Sequence, residues 1–126
     1  MPRKSFTSDR AGPPAGPFSA AVLGAGDSVY LSGQVGDDPA TGRLVDGGVA
    51  AQTEQALRNL SAVLQAAGRS MDDVVRVGVY LPDMGDFATM NEVYARWFEP
   101  PYPARTTIGV AALPLGAAVE IDLVAK

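Results

Sequence analysis

The chain contains several short runs of β-forming residues, bounded by glycine, proline or aspartate, and most alternate between apolar and polar positions. Runs of this kind predict β-strands, and alternation predicts a strand with one buried face. The predicted strands cover residues 18–23, 28–35, 43–45, 74–81, 104–111 and 117–125. Between the first two, Gly24–Asp27 has the composition of a hairpin turn.

Two other stretches have apolar residues three and four apart, which predicts amphipathic helices. The first runs from Gly48 to Gly68 and ends in glycine, and the second runs from about Asp86 to Glu99 before two prolines. Because only one side of the first helix is apolar, it should lie on a sheet. The element order predicts a two-layer α+β fold with both helices on one face of a mixed sheet. We expect a single domain over residues 1–126, with an irregular N-terminal arm over residues 1–12.

The composition limits the kinds of catalytic and metal site that the chain can form, because it has no cysteine and no histidine. Disulfides, thiolate nucleophiles, Ser-His-Asp relays and zinc sites built on those residues are excluded. Carboxylates then lead the possible general acids and bases. We expect no metal and no organic cofactor.

The net charge and the hydropathy limit the classes of binding partner and the cellular location that we expect. The net charge of -4 favours neither nucleic acid nor an anionic membrane as a partner. No apolar run reaches the roughly 18 residues of a membrane span, and no signal peptide pattern opens the chain, so we expect a cytoplasmic protein.

Arg105 is the leading candidate for ligand binding. It follows Pro100, Pro101 and Pro103, which restrict the backbone and preorganise the entry of Arg105 into a predicted strand. A guanidinium held in this way can bind the carboxylate of a small α-keto or α-imino acid through two parallel hydrogen bonds. The alternative is a residue at a strand edge paired with a surface acid.

The last two predicted strands could form a hairpin, with residue 109 opposite 120 and residue 107 opposite 122. In that register Arg105, Thr107 and Glu120 lie on one face of the sheet, and a slip of one residue separates them. The alternative is that this face is simply the solvated side of a half-buried sheet.

Three further positions interrupt the apolar pattern. Asn91 lies at the apolar edge of the second helix, where its amide needs a partner, either loop backbone or a ligand. Ser32 and Gly33 interrupt an apolar strand, which indicates a β-bulge or the close approach of another group.

Motifs in the same order as in a known family run from about residue 13 to the C-terminus. They are Pro14–Ala20, Leu31-Ser-Gly-Gln34, Gln52-Thr, Leu57-Arg-Asn-Leu60, Ala67-Gly68, Val79-Tyr-Leu with Asp83 and Phe87, Met90–Tyr94, Pro103-Ala-Arg105, Leu113-Pro and Val119-Glu-Ile121. On these residues the chain resembles the RidA family, also called the YjgF or reactive-intermediate deaminase family.

The resemblance implies a chorismate-mutase-like fold, a homotrimer with active sites in the clefts between subunits, and a functional link to pyridoxal-phosphate enzymes. It also implies a hydrolase that converts enamines and imines such as 2-aminoacrylate and 2-iminobutanoate to 2-keto acids and ammonia. Arg105 matches the family's carboxylate anchor and Glu120 its acid near the catalytic water, which makes these two the expected catalytic residues. Further matches around the pocket are Ser32, Gly33, Asn91 and Thr107.

Two positions depart from the family pattern. Phe18 replaces a tyrosine, which keeps an aromatic wall and removes a hydroxyl, and Thr107 replaces a cysteine whose thiol the hydrolysis does not need. Other functions remain open: a non-catalytic trimer that binds small keto or amino acids or a partner protein in the same cleft, or a pathway-specific imine or carbamate hydrolase. The ribonuclease activity attached to some relatives fits the acidic balance poorly.

Overall fold

The computed structural model describes residues 2–126, which form two helices and six strands. The elements are β1 Ser5–Phe6, β2 Ala21–Leu23, β3 Val29–Val35, α1 Gly48–Ala66, β4 Val74–Leu81, α2 Phe87–Tyr94, β5 Ala104–Gly109 and β6 Glu120–Ala125. All six strands belong to one sheet in the order β1-β2-β3-β6-β4-β5. Only β4 and β5 pair in parallel, and every other pairing is antiparallel. The expected α+β architecture with a mixed sheet and two helices is confirmed.

Both helices cover the same face of the sheet. Helix α1 packs on β3 and β6 and against α2, and the shared core joins buried residues of both helices to one face of the strands. Alternation in β6 shows the division, because Ile121, Leu123 and Ala125 are buried and the residues between them are only partly covered. Among residues 2–126, neither helix is long and apolar enough to cross a membrane.

The C-terminus of α1 is fixed by a glycine, as the sequence predicts. Gly68 has a φ of 73° and donates to the Gln65 carbonyl, and the Arg69 N–H reaches the Leu64 carbonyl at 2.8 Å. This is the Schellman pattern, in which a left-handed glycine satisfies the last carbonyls of a helix.

Helix α2 ends at Tyr94, earlier than the expected Glu99. The next turns tighten, because the N–H groups of Arg96 and Trp97 bind carbonyls three residues back. The Trp97 indole N–H then donates to Glu54 on α1 at 3.0 Å. The apolar residues Trp97 and Phe98 of this segment therefore pack onto the core although the helix has ended.

Several strand boundaries also differ from the expectation. Residues 18–20 and 117–119 lie outside strands, and the Ala118 N–H is taken by the Gln52 side chain of α1 at 2.8 Å. The expected strand over residues 43–45 is reduced to a bridge between Asp37 and Leu44. The N-terminal arm is not wholly irregular, because Ser5–Phe6 pairs with β2.

The expected hairpin between the last two strands is wrong. Strand β6 lies between β3 and β4, while β5 pairs in parallel with the far side of β4. The ten residues 110–119 cross from one side of β4 to the other, which makes β5 a parallel neighbour of β4. Arg105 is opposite Val77, on the face covered by the helices, whereas Glu120 is opposite Tyr80, on the other face. Arg105 and Glu120 of one chain therefore lie on opposite faces of the sheet.

Candidate active site

Arg105 is held by side chains of α2. Its Nη2 donates to Asn91 Oδ1 at 2.7 Å, and its guanidinium carbon lies 4.6 Å from the ring centre of Tyr94 and 5.8 Å from that of Phe87. Asn91 and Tyr94 are three residues apart, so one face of the helix supplies both contacts. The partner that Asn91 was expected to need is Arg105.

The charge of Arg105 is not neutralised within the described chain. The only ion pair among residues 2–126 joins Arg58 to Glu54, and Asn91 is a neutral acceptor. Most of the guanidinium N–H groups therefore remain free to bind an anion. They face a pocket of about 360 Å³ whose lining is Asn91, Tyr94, Ala95, Tyr102, Pro103 and Arg105.

Two buried hydroxyls in this region have no hydrogen-bond partner within residues 2–126: those of Tyr94 and Thr107. Burial raises the pKa of Tyr94, and the nearby positive charge of Arg105 opposes that shift. Thr107 lies two residues after Arg105 on the same face of β5 and lines neither of the two pockets described here. A buried hydroxyl without a partner costs about 1–3 kcal/mol, so both groups are suited to a ligand or a second chain.

Glu120 lies on the other face, at the start of β6. A Cβ atom on Gly33 would collide with its carboxylate, so glycine is what allows the carboxylate to cross this strand. The pairing of β3 with β6 is irregular between Leu31 and Gln34, which agrees with the expected bulge. Burial, and to a lesser degree the charge of Asp122, raises the pKa of Glu120.

Glu120 opens onto a second pocket, of about 430 Å³, that is mostly apolar. Phe18, just before β2, and Gly33 on β3 line it from one side, Pro13 and Pro14 from the segment after the N-terminal arm, and Leu115 from the β5–β6 connection. Phe18 is 52% exposed, so its ring is available to a ligand at the mouth of the pocket.

Leu115 has a φ of 61° and is 63% exposed. That backbone conformation costs a residue with a Cβ roughly 1–2 kcal/mol. An exposed leucine in the left-handed region is thus an unusual residue to find lining a pocket.

The structure divides the expected site residues into three groups. Arg105 and Asn91 line the first pocket, and Phe18, Gly33 and Glu120 line the second. Ser32 and Thr107 line neither pocket. The Ser32 hydroxyl donates to the Ser19 carbonyl at 2.6 Å, and the Ser32 N–H donates to the Ala20 carbonyl. These hydrogen bonds hold β3 against residues 18–20, the segment that contains Phe18.

Sequence reasoning missed three residues: Tyr94 and Leu115, which line the two pockets, and Phe87, which lies beside Arg105. Phe87 and Tyr94 belong to the apolar stripe of α2, and their positions near Arg105 could not be separated from ordinary core positions. The only local signal at Leu115 was its place in a Pro-Leu-Gly turn.

Known proteins resemble this chain over nearly its whole length. The family model described as Endoribonuclease L-PSP matches residues 9–126. The chain is 50% identical over 126 residues to Protein DfrA of Myxococcus xanthus, which covers 99% of this chain and 96% of that protein. It is 46% identical over 123 residues to the 2-iminobutanoate/2-iminopropanoate deaminase of Bos taurus, covering 98% and 89%. The crystal structure of RidA from an Antarctic Psychrobacter superposes with a TM-score of 0.91 at 44% identity and 98% coverage of each chain. The chain therefore belongs to the Endoribonuclease L-PSP family, the RidA/YjgF family that its motifs predict.

Proposed function

We propose that this protein is a deaminase that hydrolyses reactive 2-imino acids and their enamines, of the 2-iminobutanoate and 2-aminoacrylate type, to 2-keto acids and ammonia. The observation that carries the proposal is the guanidinium of Arg105, which is oriented by Asn91 and Tyr94 and has no carboxylate partner within residues 2–126. The name of the Bos taurus relative supports the same reaction.

In this proposal Arg105 binds the substrate carboxylate. A guanidinium offers two parallel N–H donors to a carboxylate, and the bond to Asn91 Oδ1 fixes the plane in which they point. Binding the carboxylate at one end leaves the imine carbon and the side chain to occupy the space beyond it. Pyridoxal-phosphate enzymes that release such imines would supply the substrate.

We further propose that the complete site forms between two copies of the chain. Arg105 and Glu120 open into different pockets on opposite faces of the sheet, so one chain holds the two halves apart. An interface that joins two different patches is head-to-tail, and repeated head-to-tail contacts form a ring when the rotation between copies closes. A homotrimer with its sites between subunits, which the family resemblance implies, satisfies this requirement.

Glu120 acts as the proton carrier. A protonated imine is already electrophilic, so a positioned water and a base are sufficient. Glu120 accepts a proton from the water as its oxygen bonds to the imine carbon, and the C=N electron pair moves to nitrogen. The carboxylic acid then protonates the nitrogen. The C–N bond breaks as Glu120 takes the hydroxyl proton, which gives the 2-keto acid and ammonia, and Glu120 passes that proton to the ammonia to give ammonium. An enamine first takes a proton on carbon from water to become the same iminium.

The test couples a pyridoxal-phosphate serine/threonine dehydratase to this protein and measures how much faster the released imine becomes keto acid. We expect acceleration by the wild type and a loss of at least about a hundredfold in kcat/KM for Arg105→Ala, because a charged hydrogen-bond pair is lost. The matched control is Arg96→Ala, which removes an exposed arginine just beyond α2.

Two results would contradict the proposal. Full activity of Arg105→Ala would show that Arg105 does not anchor the substrate. Tight binding of 2-keto acids by a folded wild-type protein without any acceleration would favour the non-catalytic binding trimer instead.

A further inference from the structure

The β5–β6 connection places a leucine where stability alone does not favour one. Leu115 lies between Pro114 and Gly116 with a φ of 61°, and it is 63% exposed. Glycine or asparagine would adopt this backbone conformation with less strain. Strain that is kept at an exposed position indicates a role other than packing.

Leu115 lines the larger pocket, the one that also holds Phe18 and Glu120. Pro13, Pro14 and Val35 extend the apolar surface of the same pocket. Its volume of about 430 Å³ is within the range that encloses drug-sized ligands. A substrate as small as 2-iminopropanoate would fill only part of it.

The composite site proposed above leaves this space to the substrate's side chain. In that site Arg105 of one copy binds the carboxylate and Glu120 of a second copy faces the imine carbon, so only the side chain remains to occupy the apolar part of the pocket that holds Glu120. Resting on the function proposed above, we propose that Leu115, together with Phe18, forms a side-chain subsite that favours 2-imino acids with larger apolar side chains, branched or aromatic, over the smallest ones.

Binding of the product 2-keto acids tests the subsite directly. Calorimetry compares pyruvate with 4-methyl-2-oxopentanoate and phenylpyruvate on the wild type, Leu115→Asn and Leu115→Met. Asparagine has a similar size and accepts the left-handed backbone, but it is polar, whereas methionine keeps an apolar side chain of similar volume. We expect the wild type to prefer the larger keto acids, and we expect Leu115→Asn to lose about tenfold of that preference while Leu115→Met keeps most of it.

A kinetic measurement runs beside the binding measurement. An L-amino-acid oxidase generates imines from 2-aminobutanoate, leucine and phenylalanine, and the ratio of kcat/KM for large and small imines is compared among the same three proteins. Light scattering records the oligomer mass of each variant. The expected result is that the ratio falls about tenfold in Leu115→Asn at an unchanged mass.

The outcomes separate this inference from the proposed function. Equal binding of small and large keto acids by the wild type, or an unchanged preference in Leu115→Asn, overturns the subsite whatever the activity. A change in oligomer mass without a change in preference also overturns it, because Leu115 would then serve the interface. Absence of hydrolysis in the wild type overturns the deaminase proposal, whereas a preference in binding that depends on Leu115 still supports the subsite.

Discussion

The two pockets of this chain are built in opposite ways. The Arg105 pocket is formed by α2, the edge strand β5 and the segment that joins them, and its charged group is fixed by a 2.7 Å hydrogen bond to Asn91 and by two aromatic rings. The Glu120 pocket is formed largely by loops that surround the ends of β3 and β6, and most of its lining is apolar.

This difference divides recognition into two tasks. A rigid guanidinium can recognise the carboxylate that all 2-imino acids share. Loops around an apolar pocket can change their side chains without disturbing the sheet, so they are the place where substrates would be told apart. The Glu120 carboxylate lies between the two, because its backbone belongs to β6 and its oxygens lie against Gly33.

The largest expected effect comes from placing the Arg105 and Glu120 substitutions in different chains of one oligomer. Arg105→Ala and Glu120→Gln should each lower kcat/KM by at least about a hundredfold, because one removes the anchor and the other the proton carrier. When the two variants are co-expressed and mixed oligomers are purified by two tags, some interfaces pair an intact Arg105 with an intact Glu120. In a trimeric ring every such mixed oligomer has one intact interface in three, so we expect about a third of the wild-type activity to return.

The control for this experiment is the same purification from cells that express either variant alone. Mixed oligomers as inactive as the two parents would mean that Arg105 and Glu120 serve the same copy of the site or different reactions. The composite site would then be wrong.

A smaller effect on KM is expected at Tyr94, where two substitutions separate the role of the ring from that of the hydroxyl. The ring lies 4.6 Å from the Arg105 guanidinium, and a stacked cation of this kind contributes about 0.5–2 kcal/mol. Tyr94→Leu should therefore raise KM for imine hydrolysis about 3- to 10-fold with a smaller change in kcat. Tyr94→Phe should raise KM less than Tyr94→Leu does, because it keeps the ring that stacks on Arg105 and removes only the hydroxyl.

Steady-state kinetics of both variants, with thermal unfolding as a check on folding, decides between the two roles. If Tyr94→Phe were as impaired as Tyr94→Leu, the buried hydroxyl would contact the substrate or a second chain. Tyr94 would then be more than a positioning residue for Arg105.

The fold was largely predictable because its signals are local. Alternation in 121–125, three-and-four spacing in α1 and the glycine at residue 68 each determine an element through its own residues. The pairing of β5 was not predictable in this way. A hairpin and a parallel crossover bury the same side chains of β5, and only the neighbours of the strand distinguish them.

The sequence named candidate residues for the site but gave the wrong arrangement for two of them. The prolines before Arg105 and the family motifs singled out Arg105 and Glu120, but a hairpin register placed both on one face, and their separation by the sheet became visible only in the structure. Leu115 could not be recognised from the sequence, because its significance lies in a backbone angle and in exposure.

The smallest expected effect concerns the stability cost of Glu120. Burial, and then the charge of Asp122, raises the pKa of Glu120 above its ordinary value of 4.5, so the folded chain holds this proton more tightly than the unfolded chain. The contribution of Glu120 to stability is therefore greatest at a pH below that ordinary value, and it is lost as the pH rises through the raised pKa.

Glu120→Gln keeps the size of the side chain and removes the charge, so at neutral pH the variant should unfold at a higher temperature than the wild type, with a difference that shrinks as the pH falls. Scanning calorimetry between about pH 4 and pH 8 measures that difference. Activity should depend on the same proton in the opposite sense, since wild-type kcat/KM falls as the pH is lowered through the raised pKa. Asp122→Asn removes the second cause of the shift and should move this fall in activity to lower pH. A gain in Tm that did not change with pH would contradict this account, because the benefit would then come from packing and not from the charge that makes Glu120 a base.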